Sequence, residues 1–229
     1  MANIRRRPFD RKNMWGELMK INYQLVMEQE IKENEGKTPT LLLQSCCAPC
    51  SSYVLEYLSE FFKITVLYYN PNIYPPEEFY KREEEQKKFI QNLNTKNPIS
   101  FIGCEFEDDK FYEAIKGFEN EKEGGQRCRK CFHLRLEKTA QIAKENNFDY
   151  FTTTLTISPH KNSAVLNDVG GELAKEYGLK YLFSDFKKKG GYKRSCELSQ
   201  EFGMYRQEYC GCVYSMNERQ DRMTHSKGM

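Results

Sequence analysis

Of 229 residues, 39% are hydrophobic and 30% charged, and the formal net charge is only +2. A chain of this length holds one domain with an ordinary core and does not need disulfides to fold. The near-neutral balance excludes nucleic-acid binding through the field of the whole molecule, so any such surface has to be a local patch. No apolar run approaches the ~20 residues of a membrane helix.

The chain starts with a basic stretch, Met1 to Lys12, that has no apolar segment behind it, so no signal peptide is read there. Arg5-Arg6-Arg7 reads as a solvated tail rather than a nucleic-acid contact. Residues 13–35 have largely helical spacing (Met14, Leu18, Ile21, Leu25, Ile31), and Gly36-Lys37-Thr38-Pro39 ends that element. This predicts an extension over 1–38 carrying one helix packed on the outside, an α/β domain over 39–212, and a frayed polar tail over 213–229.

Within the domain, Leu41-Leu42-Leu43 opens a strand at 40–45 that runs straight into Cys46-Cys47-Ala48-Pro49-Cys50. A helix follows over 50–61, then a β-branched and aromatic strand, Ile64 to Asn70. Strand, helix and strand in so few residues make a βαβ unit with parallel strands and a right-handed crossover. The rigid loop Asn70 to Pro76 falls on the same sheet edge as the cysteine turn. A charged helix over 77–95, with Phe79, Phe89, Ile90 and Leu93 as its apolar face, reads as having a solvated charged side.

A short strand at 99–103 closes on Cys104, which reads as a small buried residue. After a helical stretch over 106–118 and a turn at Gly124-Gly125, Cys128-Arg129-Lys130-Cys131 opens a long helix to about Asn146. A fourth strand, Asp149 to Leu155, delivers Ser158, His160 and Lys161 to another strand–helix turn. Its helix runs to about Tyr177, and Gly178 to Phe183 make the fifth strand. The remainder is rich in Gly, Lys, Arg and Tyr and closes on Cys210-Gly211-Cys212.

Nine cysteines are the outlying number. The count is odd and the positions cluster, which favours metal or redox chemistry over structural bridges. A lone C-x-x-C at a helix start fits a zinc knuckle, a redox pair or iron–sulfur ligands. Two thiol groups that converge on one sheet edge are more specific, and four thiolates suit zinc or an iron–sulfur cluster. The vicinal pair Cys46-Cys47 departs from the doubled C-x-x-C of a zinc ribbon and favours the cluster. Cys210 and Cys212 read either as a strained, exchangeable pair or as two unrelated thiols. Cys196 carries no signal. Ser158 with Lys161 reads either as a phosphate site at a helix start or as a capping turn beside a solvated lysine. Lys193 and Arg194 add charge around Tyr192, which is available to stack on a splayed-out base.

Several motifs, taken in order, resemble the QueH-type epoxyqueuosine reductases. They are Cys46-Cys47-x-Pro49-Cys50, Cys128-Arg129-x-Cys131, Thr153-Thr154-Leu155-Thr156-x-Ser158-Pro159-x-Lys161, Asp185-Phe186-Lys187-Lys188 with Gly191-Tyr192-x-Arg194-Ser195, and the stretch from Glu197 to Cys212. The match covers about residues 40–212. The resemblance implies a parallel-sheet, three-layer α/β fold like that of the adenine-nucleotide hydrolases (HUP or Rossmann-like). It implies a cytoplasmic enzyme that reduces epoxyqueuosine to queuosine at the wobble position of a tRNA anticodon loop.

The resemblance further implies a [4Fe–4S] cluster on Cys46, Cys47, Cys128 and Cys131, and a redox-active pair at Cys210 and Cys212, with an electron donor left unidentified. Four cysteine ligands would leave no open iron, so either Cys50 helps to hold an additional iron close by or one of the four does not ligate. Substrate contacts are expected at Ser158, Lys161, Tyr192, Lys193 and Arg194. Three rivals are weaker. An ATP pyrophosphatase needs a glycine-rich loop where this chain has Cys-Cys-Ala-Pro-Cys, a thiol–disulfide oxidoreductase has no use for the first four thiols, and a zinc-stabilised RNA-binding module predicts zinc without iron.

Overall fold

The computed structural model describes residues 21–226, with side chains to 224. The basic start and the first part of the expected helix at 13–35 lie outside the described residues; the described part is α1, Tyr23–Glu33. The parallel three-layer α/β fold expected from the sequence is the one observed. Five parallel strands, β1 (Thr40–Gln44), β2 (Lys63–Tyr68), β3 (Ile99–Gly103), β4 (Tyr150–Thr153) and β5 (Lys180–Tyr181), lie in the order β3-β2-β1-β4-β5.

Alternation along β1 explains why both faces are covered. Successive side chains of a strand point to opposite faces, so Leu41 and Leu43 enter one core and Leu42 the other. The first core receives Met27 of α1, Val54, Leu55 and Leu58 of α2 (Ala48–Leu58), and Phe89 of α3 (Pro76–Asn92). The second receives Leu136, Ala140 and Ala143 of α5 (Gln126–Glu145) and Val169 and Leu173 of α6 (Ser163–Tyr177). Gly170 is where α6 comes closest to the sheet: a Cβ there would meet the Tyr181 ring at 2.3 Å. A short α4 (Asp108–Ala114) precedes α5, and α7 (Gly191–Glu201) packs on α2.

Two expectations change. The charges of α3 are not all solvated: Glu78, Arg82 and Gln86 are buried on the same stripe as Phe79 and Phe89. The segment read as a frayed tail carries a helix, α8 (Val213–Ser226). Cys212 caps it, its carbonyl accepting from the Met216 amide at 3.1 Å and the Ser215 hydroxyl at 2.9 Å. Glu218 then fastens it to buried Arg127 at 3.0 Å. No helix among the described residues is long and apolar enough to cross a membrane.

Connections leave β1 towards β2 and β3 on one side, while β4 and β5 lie on the other. The crevice beyond the carboxyl ends of β1 and β4 is therefore the topological switch point, where open α/β sheets bind ligands.

Candidate thiol centre

Both walls of that crevice begin at paired residues. Gln44 of β1 stands beside Thr153 of β4, whose hydroxyl donates to the Gln44 side chain at 2.7 Å. Beyond Gln44 comes the cysteine turn; beyond Thr153 a 3₁₀ turn, Thr154–Ile157, leads to Ser158 and Lys161. Buried polar groups pin the cysteine turn. Asn70 donates to the Ser45 carbonyl at 2.8 Å, and the Ser45 and Ser51 hydroxyls donate to Gln86 Oε1 at 2.7 and 2.9 Å. The pinning runs through Gln86 Oε1, while its Nε2 is buried with no hydrogen-bond partner.

Cys46, Cys47 and Cys50 place their sulfurs within 4.8 Å of one another, with Cys46 Sγ 3.7 Å from Cys47 Sγ. Of the three sulfurs, only Cys46 is shifted towards the thiolate form. Its thiol is held well below the usual range by the neighbouring sulfurs of Cys47 and Cys50, with Lys161 and Arg135 adding positive field. Burial pushes Cys47 up, and interaction with Cys46 pushes Cys50 up to about 12. A buried thiolate with soft neighbours is the donor chemistry that selects zinc or iron–sulfur groups.

The other thiols come to the same place. Cys128, in the first turn of α5, packs against Cys46 and Cys47 with Phe132, Leu155 and Leu166, and its sulfur accepts from the Gly124 amide at 3.2 Å. Cys131, one turn on, packs with Cys212, Phe111 and Ile115, and burial pushes its thiol up to about 12. Cys210 lines the cleft with Cys46, Cys47 and Cys50. Cys212 lies buried behind it, its sulfur accepting from the Ser215 amide at 3.4 Å. Seven of the nine cysteines thus meet at the switch point. The other two stand apart, Cys104 against the second core and Cys196 half-buried on α7. All nine are free thiols in this structure, Cys210 and Cys212 included.

Above the sulfurs opens a cleft of about 450 Å³. Ser158, Lys161 and Tyr192, three of the five residues expected to contact substrate, line it. Burial weakens the charge on Lys161, but Cys210, Cys46 and Cys50 outweigh it and raise its pKa. Lys193 and Arg194 are not brought to the cleft. Lys193 is exposed beside Glu197, and Arg194 is engaged by Glu56 at 2.6 Å and Glu201 at 2.7 Å, tying α7 to α2. Arg127 and Arg129 are likewise taken by Glu218 and Glu172.

Sequence reasoning missed two arginines at the thiols. Arg82 lines the cleft, is buried, and pairs with Glu78 at 2.7 Å. Arg135 is buried one helical turn after Cys131. Their signal was spacing: four residues separate each from the partner it serves, Glu78 or Cys131, so each shares its partner's helix face. Arg206, Tyr209, Arg219 and Arg222, from the end of the chain, complete the rim.

A parallel sheet with clustered sulfurs at its switch point and cations around the opening defines an α/β protein with a thiol centre in its cleft. The comparisons make this specific. The family described as "Epoxyqueuosine reductase QueH" matches residues 41–218. Epoxyqueuosine reductase QueH of Streptococcus pyogenes serotype M1 is 50% identical over 200 residues, 86% of this chain and 78% of the relative. That of Staphylococcus epidermidis is 43% identical over 202 residues, 86% and 85% of the two chains, and that of Thermotoga maritima 37% over 185 residues, 80% and 93%. The chain belongs to the QueH family of oxidoreductases, as its motifs suggested.

Proposed function

We propose that this protein reduces epoxyqueuosine to queuosine in tRNA, with the chemistry carried out in the thiol cleft. The observation that carries the reading is the meeting of seven cysteines from three separate stretches under a cleft lined by Lys161, Tyr192 and Arg206.

The donor set fits a cluster. Four buried or half-buried sulfurs, Cys46, Cys47, Cys128 and Cys131, would hold a [4Fe–4S] group, and Cys50 stands close enough to Cys46 and Cys47 to hold an additional iron. When bound, such a group supplies electrons one at a time. Conversion of an epoxide to an alkene takes two electrons and two protons and releases water. Oxidation of Cys210 and Cys212 from two thiols to one disulfide gives up two electrons and two protons, so the two half-reactions balance. Cys210 lines the cleft and Cys212 is buried, an arrangement that supports this use of the pair. A reductant from outside the chain then restores the dithiol.

Tyr192 is exposed at the cleft with the Arg206 guanidinium 5.8 Å from its ring centre, an arrangement suited to stacking on a base. Lys161 and Ser158 suit a phosphate of the anticodon loop. Arg194 keeps α7, which carries Tyr192, against α2.

Anaerobic purification, iron and sulfide analysis, EPR of the reduced protein and an assay on epoxyqueuosine-containing tRNA test this reading. A cluster signal lost on Cys47→Ala or Cys131→Ala, together with conversion to queuosine, is expected. Zinc without iron, and no cluster after reconstitution, would leave a zinc-bound RNA-binding domain instead.

A further inference from the structure

Three arginines are buried among the described residues: Arg82, Arg127 and Arg135. Two have acids, Glu78 for Arg82 and Glu218 for Arg127. Arg135 has none. It is 1% exposed, its Nε donates to the Cys131 carbonyl at 3.2 Å, and its Nη2 is buried with no hydrogen-bond partner. The guanidinium carbon lies 5.8 Å from the Phe132 ring centre, and Phe132 packs on Cys46 and Cys47.

A guanidinium cannot lose its proton to escape burial, and a buried ion without a counter-charge is strongly destabilising. Arg135 therefore implies an anion that free thiols do not fully provide. A group ligated by four thiolates does provide one, because the sulfurs contribute four negative charges. We propose that Arg135 is the counter-cation of the thiol centre, balancing the charge of the group held there and setting its reduction potential. This rests on the iron–sulfur reading above. The sign follows from Coulomb's law. Reduction adds negative charge, a nearby cation stabilises the reduced state, and removing the cation moves the midpoint to more negative potential. Arg135 is a positioning residue in this sense: it acts through the ligated group and touches no substrate.

The test uses the full chain, reconstituted anaerobically with iron and sulfide, as wild type, Arg135→Met and Arg135→Lys. EPR-monitored redox titration of fully loaded Arg135→Met should show at least a tenfold shift of the one-electron equilibrium towards the oxidised form, about 59 mV. Arg135→Lys keeps the charge and should stay within threefold of wild type. A fully loaded Arg135→Met protein with the wild-type midpoint overturns the proposal.

Thermal unfolding before and after loading reads the same charge balance without a redox signal. Arg135→Met should melt at or above wild type when metal-free and should gain less on loading. Equal losses in both states, or a metal-free variant that does not fold, mean ordinary packing and also overturn the proposal. If wild type takes up no iron, the iron–sulfur reading fails on its own. Melting with zinc alone then decides the role of Arg135 by the same comparison, a smaller gain in Arg135→Met supporting it and an equal gain overturning it.

Discussion

The amide of Tyr74 donates to the carbonyl of Gly211 at 2.8 Å, joining the loop after β2 to the glycine between the two closing cysteines. Tyr209 reinforces the joint, its hydroxyl donating to the Tyr74 carbonyl at 2.5 Å. Gly211 has φ +129°, and a Cβ there would meet Arg82 Nη1 at 3.1 Å and Ile73 Cγ1 at 3.3 Å. The geometry of the C-x-C segment is thus imposed from the far end of β2.

Gly211→Ala should cost about 1–3 kcal/mol, the usual range for a side chain in a disallowed backbone region. The loss should show in urea unfolding. If the joint sets the C-x-C geometry, activity should fall by more than the fraction unfolded accounts for; activity that tracks the folded fraction would make the joint purely structural.

Iron content should separate the two kinds of cysteine. Cys46→Ala should lower iron and sulfide per chain and abolish turnover, because Cys46 is one of the three sulfurs that lie within 4.8 Å of one another. Cys104→Ala should leave both unchanged, since Cys104 packs against the second core. Equal losses in the two variants would mean that the metal count reports folding alone.

Two basic residues that look alike in sequence should part in kinetics. Lys161→Ala should raise KM for the RNA substrate by about tenfold, the loss of one charge-assisted hydrogen bond of about 1.5 kcal/mol. Arg194→Ala should leave KM near wild type and lower stability by up to about 1 kcal/mol, since its carboxylate partners are partly solvated.

Acid should unmask the clamp at the start of the sheet. Asp149 accepts from the Thr40 amide and hydroxyl, both at 2.8 Å, which holds its carboxyl below the usual range. A depressed folded pKa contributes stability that is complete above the unfolded value, near 3.9, and disappears as pH falls through the folded value. The melting difference between wild type and Asp149→Ala should therefore hold steady at neutral pH and shrink below about pH 4. A difference that stays flat into acid would assign the clamp to the hydroxyl and not to the charge.

The strands and the thiol turn were legible because their signals are local. Leu41-Leu42-Leu43 and the run from Ile64 name two strands, and C-C-x-x-C followed by C-x-x-C names the chemistry. What the sequence hid depends on register. Arg82 sits in a run of charges, Lys81 to Glu85, that composition reads as solvated, yet the stripe through Glu78, Phe79, Arg82, Gln86 and Phe89 turns it inward. The same stripe had already been marked by its two phenylalanines. Helix α8 was missed for another reason. Its polar sequence offers little apolar face, and besides the local Cys212 cap its hold comes from the Glu218–Arg127 pair, whose partner lies far away in the chain. Arg194 shows the converse, a basic residue beside a stacking tyrosine whose partner, Glu56, lies on a helix distant in sequence.

The order in which the chain supplies the cleft has a consequence for when the cleft is complete. Its floor, Cys46 to Cys50, comes early in synthesis, and the thiols of α5 follow while the sheet still lacks β4 and β5. The wall at residues 206–222 arrives last, after every strand is in place. Because domains fold as units once their elements have emerged, the cleft has no complete wall until this last stretch of chain is present and Glu218 meets Arg127. A chain cut short before that stretch would carry every strand and the centre's first five thiols without the wall that faces them.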